Sequence, residues 1–388
     1  MTKNSACPQA PISANVLSRR SLLSGVAAAG GMAAATPFSI RRSLASSGEI
    51  NVFAWGDYIR DNIKNAFEKQ TGIKVNLTTF GSNEEAQSKL RAAGGRGFDL
   101  VFPSVDTRPE YDEGELLKPI DESRVKVDQI EPVLWRRSLG LGASRRGNRY
   151  LIPFNWGTEG ITFDSSVHSF KQGELSYGDL WNDGLDGKVA GRQKSIIISL
   201  AIYLDSIGQV PSNRALELYR SEADMRRIFD ACLEFLKPHK KNIGAFWNNA
   251  TQATAAFTDA GCTLGQTWDT TGIMLHTHVD NKWIYTAPRE GALAWMDTMG
   301  IPSGAENVEQ SYEMINFLMT PEIGGMFVNN TGYNSAAVGV VNHLSDASKA
   351  AFEIAYPHGA IENLWWWPMY TPWFNGVRQE YVEKITAL

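Results

Sequence analysis

Residues 50–90, INVFAWGDYIRDNIKNAFEKQTGIKVNLTTFGSNEEAQSKL, carry the pattern that points to the fold class. The segment 50–54 is a short apolar run typical of a strand, and 73–80 alternates apolar and polar residues as a second strand does. Between them, 59–70 places apolar side chains at helical spacing, and Gly72 follows as a typical C-terminal glycine. A right-handed crossover makes the two strands parallel, so the pattern predicts the βαβα unit of an open α/β sheet.

Aromatic and polar residues follow both predicted strands directly. Trp55, Asp57 and Tyr58 come after the first strand, and Ser82 comes after the second. Open α/β sheets bind their ligands beyond the carboxyl ends of parallel strands. We therefore expect these four side chains to lie at a ligand site.

Four short motifs in this region also carry a family resemblance. They are Phe53-Ala-Trp-Gly-Asp-Tyr58, Phe67-Glu-Lys-Gln-Thr-Gly-Ile-Lys-Val75, Ser82-Asn-Glu84 and Phe98-Asp-Leu-Val-Phe-Pro-Ser104. Together they resemble the opening of the periplasmic polyamine-binding proteins, the spermidine- and putrescine-type solute receptors of bacterial ABC importers. The resemblance extends over about residues 50–331, with its motifs in order. It implies a type II-like periplasmic binding protein, which is not an enzyme, needs no cofactor and works with an inner-membrane ABC permease.

The predicted architecture is α/β, with two lobes joined by hinge strands. The chain has 388 residues, which is enough for two domains with separate cores. We expect lobe one to comprise 46–156 with 296–330 returning to it, and lobe two 157–295 with 331–388 added. Strand-like runs at 150–157, at 161–163 and at 290–302 place the crossing strands near Trp156 and Trp295.

The N-terminal residues predict export rather than a folded element. Ser18-Arg-Arg-Ser-Leu-Leu23 resembles a twin-arginine signature, and 26–35 is a mildly apolar, Gly/Ala-rich segment too short to anchor in a membrane. Ser43-Leu-Ala45 fits a cleavage site, so we expect residues 1–45 to be a signal peptide and the periplasmic protein to begin near Ser46. The twin-arginine export machinery is then a partner. The alternative is a disordered tail that happens to contain Arg-Arg.

Composition and charge describe a soluble globular protein that does not favour polyanions. Hydrophobic residues make up 43% and charged residues 20% of the chain. Without residues 1–45 the chain has 32 basic and 42 acidic side chains, a formal charge of −10. This balance disfavours nucleic acid and anionic membranes as partners and mildly favours a cationic ligand.

Cysteine and histidine residues give little sign of catalysis or metal binding. Cys7 falls in the signal peptide, and Cys232 and Cys262 are compatible with one disulfide or with two buried thiols. His276 and His278 lie two residues apart without a third ligand nearby, so surface or core histidines are the simpler interpretation. The sequence has no Gly-x-Ser-x-Gly elbow and no phosphate-binding Gly-x-x-x-x-Gly-Lys motif.

Five aromatic residues lie at strand ends or beside turns, with small or acidic neighbours. They are Trp55, Tyr58, Trp247, Trp268 and Trp295, accompanied by Asp57, Asn248, Asp269 and Asp297. A tryptophan face attracts a cation with about 0.5–2 kcal/mol, and a carboxylate adds a charge-assisted hydrogen bond. A single tryptophan is more often part of a core, but the set favours a binding site for an amine.

The resemblance implies roles for several of these residues. Trp55-Gly-Asp-Tyr58 matches the motif that stacks on and hydrogen-bonds the ligand, and Ser104 matches the family's serine after the third strand. Trp268 matches the family's tryptophan in lobe two. Trp295-Met-Asp297 matches the aromatic-x-Asp motif whose carboxylate binds an ammonium group.

The departures from the family pattern argue against spermidine. In Trp268-Asp-Thr-Thr271, Asp269 is displaced and Thr271 stands where the family has an acid, while Asp106 replaces an aromatic residue. No acid lies near 195–198, where the second ammonium would need one. Burying an unpaired charge is costly, so we expect a ligand with one amine and a neutral or polar remainder.

Two aromatic runs near the C-terminus have no counterpart in the resemblance. For Trp365-Trp-Trp-Pro368 and Tyr370-Thr-Pro-Trp373, packing on the surface of lobe two is favoured over a role at the cleft.

The sequence thus predicts a periplasmic receptor that closes on its solute. Two alternatives stay open, an amine-processing enzyme on the same clamp, with Asp106, Asp269 or Asp297 as general acid or base, and a ligand-sensing carrier for a receptor.

Overall fold

The computed structural model of this protein describes residues 48–388, apart from Gln172 and His358. The predicted signal peptide, its cleavage site and Cys7 lie outside the described residues.

The strands and helices alternate along most of the chain. The strands are β1 (Glu49–Trp55), β2 (Lys74–Phe80), β3 (Leu100–Val101), β4 (Ser144–Arg145), β5 (Asn148–Arg149), β6 (Leu151–Asp164), β7 (Val189–Arg192), β8 (Ile243–Trp247), β9 (Leu264–Trp268), β10 (Trp283–Thr286), β11 (Leu293–Gly300), β12 (Asn334–Ser335) and β13 (Trp365–Trp366). The α-helices are α1 (Asp61–Thr71), α2 (Asn83–Ala92), α3 (Arg108–Glu113), α4 (Pro132–Ser138), α5 (Ile196–Ser206), α6 (Glu222–His239), α7 (Ala250–Thr258), α8 (Asp269–Met274), α9 (Val308–Leu318), α10 (Pro321–Thr331), α11 (Asp346–Ala355) and α12 (Pro372–Ala387).

The predicted βαβα unit at the start of the chain is confirmed. β1 and β2 pair in parallel over their whole length, from Glu49 opposite Lys74 to Trp55 opposite Phe80. α1 ends at Gly72, whose φ of 72° is the left-handed conformation that glycine adopts without steric cost. The α2 N-terminus is capped by Ser82, whose side chain accepts a hydrogen bond from the backbone N–H three residues on. The carboxyl end of β1 therefore presents residues 55–58 at the sheet edge.

The sheet runs in the order β2-β1-β3-β11-β6-β9-β7-β8, and two antiparallel strands cross between its two ends. β1, β2 and β3 lie toward one end of the sheet, in the segment predicted to be lobe one, and β7, β8 and β9 lie at the other end, in the segment predicted to be lobe two. The crossing pair is β6 and β11, with Trp295 opposite Gly157 and Met296 opposite Trp156. The predicted positions of the crossing strands are confirmed, while the lobe boundaries stay a prediction.

The strand β6 is longer than the sequence suggested. It is one strand of 14 residues, all buried, where separate runs at 150–157 and 161–163 were expected. Thr158, Glu159 and Gly160 interrupt the apolar pattern, yet the structure buries them with partners: the Thr158 N–H donates to Asp269, and Glu159 pairs with Arg192. Because buried polar groups need such partners, a local pattern could not reveal this strand as continuous.

The C-terminal aromatic runs are built into the interior, so the prediction of surface packing was wrong. Trp365 and Trp366 form β13, which pairs in parallel with β11. Trp365 and Trp367 pack into the core of lobe two, while Trp366 packs into a different cluster. Side chains alternate across a strand, so consecutive tryptophans here fill two cores.

The two cysteines in the described part of the chain are buried free thiols, which resolves the alternative left open by the sequence. Cys232 lies on α6 and Cys262 just before β9. Burial raises the pKa of the Cys262 thiol to about 11 and that of Cys232 further, so neither thiol is a ready nucleophile. No described helix has both the length and the apolar character needed to cross a membrane.

Candidate functional site

A cleft with an empty volume of about 1530 Å³, including the solvent at its mouth, lies between the two lobes. Ten of the side chains predicted from the sequence line it: Trp55, Asp57, Tyr58, Ser82, Ser104, Asp106, Asn248, Trp268, Trp295 and Asp297. They come from the ends of β1 and β9, from the loops after β1, β2, β3 and β8, and from the crossing strand β11. The topology thus gathers residues that are up to 242 positions apart in the chain, from Trp55 to Asp297.

Asp297 is a buried carboxylate on the crossing strand β11 that lines the cleft. One carboxylate oxygen accepts a hydrogen bond from the Ser104 hydroxyl at 2.6 Å, and the other accepts one from the Tyr58 hydroxyl. Burial raises the pKa of Asp297 to about 7, although these two hydrogen bonds favour the charged form. The side chain is therefore held in place, and a cationic group in the cleft would stabilise its carboxylate.

Two tryptophan rings that line the same cleft are held by contacts with the protein. The indole N–H of Trp55 donates to the backbone carbonyl of Phe102 at 2.9 Å. Trp295 packs edge-to-face on Tyr333, with ring centroids 5.3 Å apart, and its buried indole N–H has no partner among the described residues. Rings fixed in this way can stack on a ligand with little loss of side-chain entropy.

Trp295 is placed by a close approach to the facing strand. A Cβ added at Gly157 would lie 2.3 Å from the Trp295 ring and 3.0 Å from a carboxylate oxygen of Asp269. Only a residue without a side chain leaves room for the ring at this point.

We expect Gly157→Ala to displace the Trp295 ring and to weaken ligand binding by about tenfold or more, because overpacking costs about 1–3 kcal/mol. Calorimetric titration and a melting curve measure both effects. Gly140→Ala is a matched control, since an added Cβ there meets no heavy atom within 4 Å. Unchanged binding in Gly157→Ala would contradict the assigned position of the ring.

Trp268 does not offer two free faces to a ligand. The Arg192 guanidinium carbon lies 4.8 Å from the centroid of its ring. Arg192 is in turn ion-paired with Glu159, which is fully buried on β6 and also accepts a hydrogen bond from Ser195. A cation that the protein itself supplies therefore covers one face of this ring. Sequence inspection missed both charged residues.

Three predicted site residues lie outside the cleft lining. Trp247 is fully buried behind Trp268, with ring centroids 5.0 Å apart, and donates its indole N–H to the carbonyl of Gln266 at 2.8 Å. Thr271 is buried in the first turns of α8. Asp269 is fully buried and turns back toward β6 rather than toward the cleft.

Asp269 joins three segments of the chain. It accepts hydrogen bonds from the backbone N–H groups of Thr158 and Thr270 at 3.0 and 2.8 Å, and from the Tyr356 hydroxyl at 2.7 Å. Burial raises its pKa to about 7, against these hydrogen bonds. The geometry is that of a structural acid at the crossing strands.

The structure adds cleft residues that the sequence did not suggest. They include basic and C-terminal residues, namely Arg192, Lys194, Trp367, Tyr370 and Arg378, and also Glu84, Glu159 and Tyr333. Lys194 follows the carboxyl end of β7, which is a signal that sequence inspection could have used. Arg378 lies on α12, beyond the range of the resemblance.

A family model and known relatives both indicate similarity to solute-binding proteins. Residues 62–355 match the family described as bacterial extracellular solute-binding protein. A spermidine/putrescine-binding periplasmic protein of Escherichia coli (strain K12) is 25% identical over 341 residues, covering 86% of this chain and 90% of that protein. A putrescine/agmatine-binding protein of Pseudomonas aeruginosa is 25% identical, covering 76% of this chain and 81% of the relative.

Solved structures share the fold. The spermidine/putrescine ABC transporter substrate-binding protein PotD of Streptococcus pneumoniae superposes with a TM-score of 0.70 at 22% identity, covering 87% of this chain and 98% of that one. A putative spermidine/putrescine ABC transporter protein of Listeria monocytogenes gives a TM-score of 0.69 at 24% identity, covering 88% and 99%. The two-lobed α/β architecture expected from the sequence is confirmed.

Proposed function

Because the chain belongs to the family of bacterial extracellular solute-binding proteins, we propose that it is the periplasmic receptor of an ABC importer for a small solute that carries an ammonium group. Members of this family bind solutes rather than convert them, in line with the expectation that the chain is not an enzyme. One observation carries the choice of an amine. The Asp297 carboxylate is held by Tyr58 and Ser104 in a cleft whose lining includes Trp55 and Trp295.

The receptor can capture its ligand by closing, because the residues that line the cleft come from both lobes. Lobe one supplies Trp55, Tyr58 and Ser104, and lobe two supplies Trp268 and the basic residues near it. Only a closed form lets one ligand touch both sets, so the ligand shifts the population toward closure about the crossing strands. A micromolar dissociation constant needs about 8 kcal/mol, which a paired ammonium, stacking and several hydrogen bonds can supply.

We also propose that the protein acts in the periplasm, with the export machinery and a permease as partners. The name of the Escherichia coli relative places it in the periplasm, and the two names describe binding of spermidine, putrescine or agmatine. The twin-arginine-like segment at 18–23 supports export of this chain by the twin-arginine machinery, with cleavage near Ala45. In the periplasm, the closed form would then dock on an inner-membrane permease.

A thermal-shift screen of the mature protein tests the proposal. The compounds are diamines, spermidine, monoamines, betaines, amino acids, opine-type conjugates and simple sugars. A ligand that binds only the native state stabilises it by RT ln(1 + [L]/Kd), so binding raises the melting temperature. We expect the largest shifts from compounds with an ammonium group. Shifts from neutral sugars alone would reject the proposal and leave the fold assignment intact.

Amine binding is expected to depend on pH through Asp297. The apo carboxyl group has a pKa raised to about 7, and a bound ammonium group lowers it by favouring the charged form. Binding therefore releases protons near neutral pH, and affinity rises with pH through 7. From about pH 5.5 to about pH 7.5 we expect affinity to increase about 20-fold.

Calorimetry in two buffers of different ionisation enthalpy measures this linkage directly. At about pH 7 we expect release of about half a proton per ligand. Binding without proton release, and with equal affinity across this pH range, would contradict the pairing of the ligand with Asp297.

A further inference from the structure

The cleft has a basic side that the proposed amine does not explain. Arg192, Lys194 and Arg378 all line it, from the end of β7, the loop after it and α12. Asp57 and Asp297, the carboxylates that we expect an ammonium group to meet, come from the loop after β1 and from β11, while Glu84, Asp106 and Glu159 line the cleft as well and interact with the basic side chains. The three basic side chains thus come from other elements than Asp57 and Asp297.

Lys194 is a cation without a direct partner. Among the described residues it forms no hydrogen bond and no ion pair within 4.0 Å, and it is only partly exposed. Burial, together with the nearby Arg192 and Arg378, lowers the pKa of Lys194 to about 8. An anion bound at this point would relieve both the desolvation and the repulsion between like charges.

Arg378 is fixed in position but is not paired with a carboxylate in the described part of the chain. Its side chain is buried, and it donates one hydrogen bond to the Asn375 side chain at 2.7 Å. Its guanidinium lies 5.3 Å from the Phe374 ring centroid and 5.8 Å from that of Tyr370. A guanidinium held this way has further donors to offer a planar anion.

Among the described residues, the nearby carboxylates form an ion pair with Arg192 but not with Lys194 or Arg378. Glu159 is already engaged by Arg192 and Ser195. Glu84, on lobe one, is exposed, and Asp106 is partly buried; both sense the charges of Lys194 and Arg378 without forming an ion pair with either within the described residues. In the part of the chain that the structure describes, Lys194 and Arg378 therefore have no carboxylate within ion-pair distance.

We propose that the ligand is a zwitterion whose ammonium group binds Asp297 and whose carboxylate binds Lys194 and Arg378. This inference rests on the proposed function and replaces the neutral or polar remainder expected from the sequence. A diamine would bring its second ammonium group toward three basic side chains, and like charges brought together in a desolvated site are disfavoured.

Matched ligands of equal chain length test the proposal by calorimetry on the mature protein. The series contains ω-amino acids of about two to six carbons, the corresponding α,ω-diamines, the n-alkylamines and the α,ω-dicarboxylates. We expect the ω-amino acid of best length to bind at least about 100-fold tighter than the diamine, since one pairing is replaced by repulsion. The best length reports the separation of the two binding groups.

Two variants separate the carboxylate contact from the ammonium contact. In Lys194→Gln and in Arg378→Gln we expect the ω-amino acid to bind at least about tenfold more weakly, while the affinity for the n-alkylamine changes less than about twofold. Lys171→Gln is the control, because that side chain is highly exposed, at 84%. Melting curves of the apo variants show that each is folded.

The results distinguish the proposal of a zwitterionic ligand from the proposal of an amine receptor. A diamine that binds as tightly as the ω-amino acid, or unchanged ω-amino acid affinity in both variants, would overturn the zwitterion while leaving an amine receptor in place. Dicarboxylates that bind while no amine of any kind does would reject the proposed amine function itself.

Discussion

Replacing Asp297 by Asn is expected to raise the dissociation constant for the amine ligand by about 150- to 4000-fold. The substitution keeps the shape of the side chain but removes the charge that would pair with the ammonium group. Leaving one member of a buried ion pair without its partner costs about 3–5 kcal/mol. Asp297 is almost fully buried, at 4% exposure, so solvent cannot replace the lost charge.

Calorimetric titration of the variant measures this loss, and circular dichroism checks that the apo variant is folded. Asp183→Asn is a suitable control, because Asp183 is exposed and lies outside the cleft lining. An affinity within about threefold of the unsubstituted protein would show that Asp297 does not carry the ammonium contact.

Replacing Asp269 by Ala is expected to lower the free energy of unfolding by about 3–5 kcal/mol. The change removes the acceptor for two backbone N–H groups and the Tyr356 hydroxyl, all buried. Each buried backbone N–H left without a partner costs about 1–3 kcal/mol, while the Tyr356 hydroxyl keeps its contact with the Thr158 hydroxyl. At about 2.1 cal/mol/K of unfolding entropy per residue over the folded chain, the melting temperature should fall by about 4–7 °C.

Differential scanning calorimetry measures this fall, with Asp183→Ala as the exposed control, for which we expect almost no change. Ligand affinity of the folded Asp269→Ala variant should stay within about threefold of the unsubstituted protein. Lost affinity with an unchanged melting temperature would instead support the role at the ligand that the sequence suggested for Asp269.

The first lobe could be predicted from the sequence because its signals are local. Apolar spacing, the glycine at 72 and the serine at 82 each specify one element or one boundary. Once those elements alternate, the crossover rule fixes the strand direction, and strand ends identify Trp55 and Tyr58 as cleft residues.

The long crossing strand could not be predicted in the same way. Its polar residues are tolerated only because partners from distant segments satisfy them, such as Arg192 for Glu159. Those partners are not visible in a local window. For the same reason Asp269, next to a strand end, points to the interior, since proximity in sequence does not specify which way a side chain faces.

The basic side of the cleft escaped prediction because it depends on tertiary structure. Arg378 and Tyr370 reach the cleft from the C-terminal segment, after β13 has joined the sheet beside β11. The C-terminal segment has no counterpart in the resemblance, and the tryptophan run alone was compatible with surface packing. The consequence is chemical, because these residues change the ligand we expect from an amine with a neutral or polar remainder to a zwitterion.

A crystal structure of the mature protein with the tightest ligand from the amine series is the most direct measurement. We expect the ammonium nitrogen about 3 Å from the Asp297 carboxylate, in the cleft lined by the Trp55 and Trp295 rings, with both lobes in contact with the ligand. A ligand bound elsewhere, or one whose ammonium group contacts other side chains while Asp297 bonds only to Tyr58 and Ser104, would contradict the proposed receptor site.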